Sequence, residues 1–197
     1  MKKIDTFTIA IALLLLVVSG GCGSNTPNNA GQQKEIEQES PVRVGREDEA
    51  AKRVEQEKQA QILVYKTLDE VSVKYFREGK YQEALIGFRL LAEEGKKNVP
   101  FFKEIGLNPA ESCYLAGMCC MKTDNIPLSE GMMFFLAGAK MGHSQSQYSL
   151  ATGYYGFYLI TRDKRDLDQA VSWMETYSKH GVQEAREARE TMSKWKP

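Results

Sequence analysis

Three cysteines, Cys113, Cys119 and Cys120, and two histidines, His143 and His180, carry most of the reactive chemistry offered by the chain beyond its N-terminal segment. A nucleophilic thiol needs a nearby base and a depressed pKa. Structural zinc needs Cys, His or carboxylate ligands at short spacing. The three cysteines fall on one predicted helix. Cys113 and Cys120, two turns apart, are separated by about 10 Å, beyond the roughly 7 Å that a disulfide spans. They cannot pair with each other, no base accompanies them, and they read as small fillers in a tight helix crossing. His143 follows Gly142 and His180 precedes Gly181. Both fall at helix corners with no Cys or acidic residue at ligand spacing. They read as structural histidines that interact with a helix dipole. Ser193 to Lys196 matches S-x-x-K only formally, at the last residues and without a companion motif. A Gly-rich phosphate loop, H-E-x-x-H and a C-x-x-C pair are all absent. No metal or cofactor is implied.

The bulk composition narrows the partner classes. The 197 residues carry 26 basic and 26 acidic side chains. Without Lys2, Lys3 and Asp5, which belong to residues 1–21, 24 basic and 25 acidic remain. No basic run supplies the footprint of a nucleic-acid binder, and an acidic membrane surface is not an implied partner either.

The first residues, "MKKIDTFTIAIALLLLVVSGGC", join a basic start to an apolar core from Phe7 to Val18. That core is too short for a membrane span of about 20 residues and suits a signal-peptide core. Ser19, Gly20, Gly21 and Cys22 then resemble a bacterial lipobox, although Ser19 stands where a large aliphatic residue is usual. The resemblance implies a leader over 1–21, acylation of Cys22 and a protein anchored in the bacterial cell envelope. Several acyl chains on one cysteine hold firmly where one would not. Gly23, where an inner-membrane retention signal would carry Asp, favours the outer membrane if the source is Gram-negative.

Residues 22–46 are rich in Gly, Ser, Asn, Gln and charge, and such a segment buries too little to offset its ordering entropy. It reads as a flexible tether. The body then runs over 47–197. From Glu47 to Glu78 there is neither Pro nor Gly, and good helix formers dominate. Before Gln61 large apolar residues are scarce, which predicts a solvated helix.

Apolar residues next recur in pairs of helices. Leu68, Ser72 and Tyr75 share a helix face. Gly79 marks a turn, and Ala84, Phe88 and Leu91 share a second face. These residues resemble the tetratricopeptide repeat. "SQYSLATGY" (Ser146 to Tyr154) aligns without a gap with "SCYLAGMCC" (Ser112 to Cys120). With Gly142, His143, Ala170, Trp173 and Gly181 it resembles the Sel-one-like repeat. In all three units the same spacing separates the small residue from a closing glycine: Ala84 to Gly95, Gly131 to Gly142, Ala170 to Gly181. Each closing glycine is expected to take the left-handed conformation that ends a helix. Gly131 and Gly138 stand where alanines are usual. "KKNVPFFKEIGLNP" is long for a junction and predicts an extra short helix with Pro100 at its start. Tyr148 and Trp173 read as core residues joining the pairs, and Met132 and Met133 as core. Ala185, Ala188, Met192 and Trp195 form the stripe of a capping helix.

The expected fold is therefore all-α, an α-α superhelix (solenoid) of about three helical hairpins plus a C-terminal capping helix. Stacked hairpins bury a core that none buries alone. The resemblance implies a lipid-anchored scaffold that binds a protein or peptide. An envelope enzyme such as a cell-wall hydrolase, using Cys119 or an acidic pair, and a purely structural lipoprotein are the alternatives. The candidate partner groove lies on the first helix of each pair, where a second face is apolar and aromatic although a solvated helix would be charged there. It comprises Val73 and Phe76, Met118 and Met121, Thr152 and Tyr155, with Tyr114 and Tyr148 beside them. Arg77 and Lys122 at its edge suit an acidic end of a ligand.

Overall fold

In a computed structural model the described residues are 41–195, with side chains described from residue 48. The leader, Cys22 and the tether as far as residue 40 lie outside them. The described chain is all-helical, with no strand among the described residues. In order the helices are α1 (Pro41–Arg77), α2 (Tyr81–Lys97), α3 (Val99–Glu104), α4 (Pro109–Lys122), α5 (Leu128–Lys140), α6 (Ser144–Thr161), α7 (Lys164–Tyr177) and α8 (Val182–Met192). The chain divides into two compact units, one ending at Leu68 and one beginning at Asp69.

The first unit is described as the N-terminal part of α1. Helix α1 starts at Pro41, ahead of Glu47, so residues 41–46 are helical rather than tether. Proline fits there, because a first-turn N–H has no intrahelical partner to lose. Residues 48–57 are all exposed, as the scarcity of large apolar side chains there predicts. Gln59 Nε2 donates to Glu55 Oε1 at 2.8 Å, one turn back on the solvated surface.

In the second unit consecutive helices pack in sequence: α2 on α4, α4 on α5, α5 on α6, α6 on α7 and α7 on α8. The expected extra helix is α3. The Asn98 side chain caps it by accepting from the Phe101 N–H at 3.3 Å, Pro100 sits in its first turn, and Phe102 is buried. Asn108 caps α4 in the same way, accepting from the Ala110 N–H at 3.1 Å.

Helix α4 is buried on more than one face, because α2 and α5 flank it. Cys113, Ala116 and Cys119 are fully buried and Cys120 nearly so. Small residues permit that crowding. A Cβ on Gly117 would lie 2.6 Å from the Phe135 ring. Gly138, unusual in the repeat pattern, has the same cause: a Cβ there would come within 3.1 Å of both the Ala110 carbonyl oxygen and Ser146 Cβ.

Two closing glycines depart from expectation. Gly142 has φ +85° and ends α5 in the left-handed region. Gly95 instead lies inside α2, where a Cβ would meet Pro109 at 2.6 Å, so close packing rather than termination selects glycine. Gly181 is extended, with φ 176°. At the α6–α7 corner Arg162 takes the left-handed turn position with φ 59°. Asp163 then caps α7 by accepting from the Arg165 N–H at 2.9 Å.

Two clusters form the C-terminal half of the core. One holds Met132, Phe135, Ala139 and Leu150, and the other Ala151, Met174, Tyr177 and Ala188. Trp173 packs against both, which is the joining position expected of it. It is nevertheless half-buried, and its neighbour Met174 is the fully buried residue. Met133 is not core: it is 70% exposed, because successive helical residues diverge by 100° and Met132 takes the inward position. Ala188, Met192 and Trp195 of the predicted capping stripe all pack on the second cluster. Tyr177 ties α7 to α8, its hydroxyl donating to Glu187 Oε2 at 2.5 Å.

Candidate functional site: an apolar cleft between three helices

Helices α4, α5 and α6 enclose a cleft of about 520 Å³. Its floor is Met132 and Phe135 of α5. Met118 and Met121 of α4 form one wall, and Gly156 and Ile160 of α6 form the other. The close approach at Gly117 sets the Phe135 ring deep between the helices, and Gly153 leaves room for the Met132 thioether. Space therefore remains above the floor. At the rim Met121 is 52% exposed, Leu128 42% and Ile160 81%. Lys122 is the one charged residue among the described residues that line the cleft. Its ammonium stands 5.4 Å from the centre of the Tyr81 ring. The Thr152 hydroxyl, also in the lining, donates to the carbonyls of Tyr148 and Ser149 at 3.1 and 3.0 Å.

Four of the ten expected groove residues, Met118, Met121, Lys122 and Thr152, meet in this cleft. The others lie elsewhere. Phe76 packs edge-on against Tyr81 and Phe88, at 5.5 and 6.3 Å. Val73 is partly buried and Arg77 exposed, and neither lines the cleft. Tyr114 turns to Phe135 and the His143 ring, at 6.0 and 5.1 Å. Tyr148 faces Tyr177 at 5.2 Å, and its hydroxyl approaches Thr191 Oγ1 at 3.4 Å. Tyr155 stacks on Trp195 at 4.7 Å. Tyr148 and Tyr155 of α6 thus face the C-terminal segment, whereas Tyr154 and Phe157 pack on the cluster of Met132, Phe135, Ala139 and Leu150. The expected face was drawn on first helices alone and so missed Leu128, Met132 and Phe135 of α5. It also missed Gly156, Phe157 and Ile160, although the apolar run after Gly156 carried a signal.

The histidines are structural by a different mechanism from the one expected. His143 caps the start of α6 rather than the end of α5: its Nδ1 accepts from the Ser146 N–H at 3.2 Å. That fixes the tautomer, so Nε2–H donates to Glu111 Oε2 at 2.7 Å. An acidic partner is present after all, brought by the fold from the first turn of α4. Ser146 Oγ lies 3.0 Å from the same Nδ1, which gives the outline of a Ser–His–Glu relay. Ser146 is fully buried, however, and a nucleophile must reach its substrate. The chain of contacts acts as a clasp between α4 and α6. The hydrogen bond from His143 holds the Glu111 carboxyl below its ordinary value. Burial, reinforced by Glu70 and Glu111, raises that of Asp69. His180 Nε2 donates to the buried Gln147 Oε1 at 2.8 Å, and Gln147 Nε2 donates to the Ala139 carbonyl at 3.2 Å.

Cys113, Cys119 and Cys120 are free thiols in the core. Burial pushes Cys113 and Cys120 up to about 11 and Cys119 to about 12. Among the described residues no group of three or more His, Cys, Asp or Glu could hold a metal ion. No described helix is long and apolar enough to cross a membrane. No protein-family model, characterised protein or solved structure matches the chain.

Proposed function

We propose that the chain is a lipid-anchored protein of the bacterial cell envelope, held through an acylated Cys22. Its body is a solenoid of tetratricopeptide-like and Sel-one-like repeats that binds a protein or peptide partner, as an adapter or scaffold. The observation that carries the binding role is the cleft. Met121, Leu128 and Ile160, from three different helices, bring exposed apolar surface to one concave place. Exposed apolar surface gathered around a concavity marks an interaction site. The buried, hard-to-ionise thiols favour this role over covalent catalysis at Cys119, because the thiolate is the nucleophile.

The test compares partners crosslinked in the native envelope to wild-type protein and to a Met121→Glu, Ile160→Glu double variant. Met133→Glu, on an exposed residue outside the cleft, is the control. The double variant should fold and lose specific partners that the control keeps. A folded double variant that retained every partner would remove the cleft from the proposal.

A further inference from the structure

Resting on the reading of the cleft as a docking site, we propose that its occupant is an amphipathic α-helix. The occupant carries a carboxylate near its N-terminal end, and that end lies at Lys122. Three observations converge on this chemistry.

The first is the supply of hydrogen bonds. The floor and both walls are α-helices, and no strand edge exists among the described residues. Away from their ends, helix backbones are paired internally. The Thr152 hydroxyl is already donating to its own helix. An extended peptide would bury a row of N–H and C=O groups against only three polar side chains, Ser149, Thr152 and Lys122, among the described residues that line the cleft, whereas a helix arrives with its backbone paired.

The second is shape. The apolar rim residues stand on separate helices, so a ridge of side chains at i, i+3 and i+4 can insert between them. Three thioethers, from Met118, Met121 and Met132, line the space and adapt to varied side chains. On the α6 wall a Cβ at Gly156 would have no atom within 4 Å. That opening is a notch for one bulky side chain of the occupant.

The third is charge. Lys122 is the one charged group among the described residues that line the cleft. Its ammonium rests near the Tyr81 ring, beside a hollow that Glu83 and Asp124 also line, and on the cleft side a carboxylate of the occupant is the complementary charge. Carboxylates are most favourable in the first turn of a helix, which sets the polarity of the occupant.

The test uses the full-length protein with photoreactive p-benzoylphenylalanine in place of Ile160 or, as the comparison, of Met133, irradiated in its native envelope. The captured segment is identified by mass spectrometry and synthesised as a peptide. The proposal expects apolar residues at helical spacing with Asp or Glu in the preceding turn, and a gain of helical circular dichroism on binding. A proline placed mid-peptide should weaken binding at least tenfold. Lys122→Glu should weaken it several-fold, and exchanging the peptide's acid for Lys should restore it. Gly156→Leu fills the notch and replaces a poor helix former, so it should block binding without lowering the melting temperature. A captured segment that binds without gaining helix, or capture of a fatty acyl chain, would overturn the helical occupant while leaving the cleft as a binding site. Adducts absent at position 160 but present at position 133 would overturn both.

Discussion

Gly117→Ala isolates the close approach that shapes the cleft. In a free helix this change is favourable by about 1 kcal/mol. Here the new methyl would lie 2.6, 2.7 and 3.0 Å from three atoms of the Phe135 ring. Carbon atoms prefer about 3.5–4.0 Å, so the ring or the helix must move by about 1 Å. Phe135 is 3% exposed and wedged among Met132, Ala139 and Leu150, and its ring cannot bend away. Overpacking of this kind costs about 1–3 kcal/mol. With three ring atoms affected the upper end applies, and after the helical gain the net loss is about 2 kcal/mol. For a body of this size that lowers the melting temperature by roughly 4–8 °C. Gly131→Ala is the internal control, because its nearest contact would be Cys120 Cβ at 3.3 Å. That change should be neutral or slightly stabilising. Urea denaturation of both variants provides the assay, with unchanged m-values showing that only stability has moved. If Gly117→Ala were as stable as wild type, the crossing of α4 and α5 would not be as tight as described. Losing the Phe135 ring as well, in Gly117→Ala, Phe135→Leu, should cost less than the two single changes summed.

Trp173→Ala should cost about 2 kcal/mol, below the 3–5 kcal/mol of a fully buried tryptophan, because the ring bridges two clusters while half-buried; an unchanged melting curve would show that it joins nothing. Asp69 has its carboxyl raised by burial, so the stability of its neutral form is complete below the unfolded value of about 3.9 and is lost as pH rises through the folded value. Asp69→Asn should therefore be more stable than wild type in urea at pH 7, with the gap closing near pH 3; a less stable variant at pH 7 would contradict this. Glu111, lowered by the His143 hydrogen bond, has the opposite sign: its contribution is present above about 4.3 and is lost as pH falls through its folded value. Cys113, Cys119 and Cys120 should resist a thiol reagent at pH 8 until denaturant is added, and rapid labelling of native protein would show that they are accessible. Cys22 should incorporate a fatty-acid probe that Cys22→Ser does not, and equal labelling of both would remove the lipid anchor.

The all-α class and the order of helices were legible because periodicity, caps and turn residues agree locally. The α3 helix is the clearest case, since Pro100 announces its start. Contacts made by distant residues were not legible. Nothing near His143 in sequence points to Glu111, which reaches it from a turn on another helix. The glycine at 95 carries the spacing of a helix terminator, yet Pro109, arriving from the next helix pair, gives it a packing role. For the cleft, the alternation of apolar faces found Met118, Met121 and Thr152 on the first helices. The close packing that brings Met132 and Phe135 of α5 between them depends on Gly117 and Gly153. That coupling across helices leaves no periodic signal in one sequence. Tyr155 shared the periodicity of the groove, but Trp195 stacks on it from beyond α8.

The central claim, that the cleft between α4, α5 and α6 is where the protein meets its partner, is tested most directly by a photocrosslinking scan in the native envelope. A photoreactive residue is placed in turn at Met121, Gly156 and Ile160 in the cleft, and at Met133 and Val182, which are 70% and 89% exposed outside it. One shared set of adducts is expected at the three cleft positions and little at the other two. Adducts spread evenly over all five, or concentrated at Met133 or Val182, would contradict it.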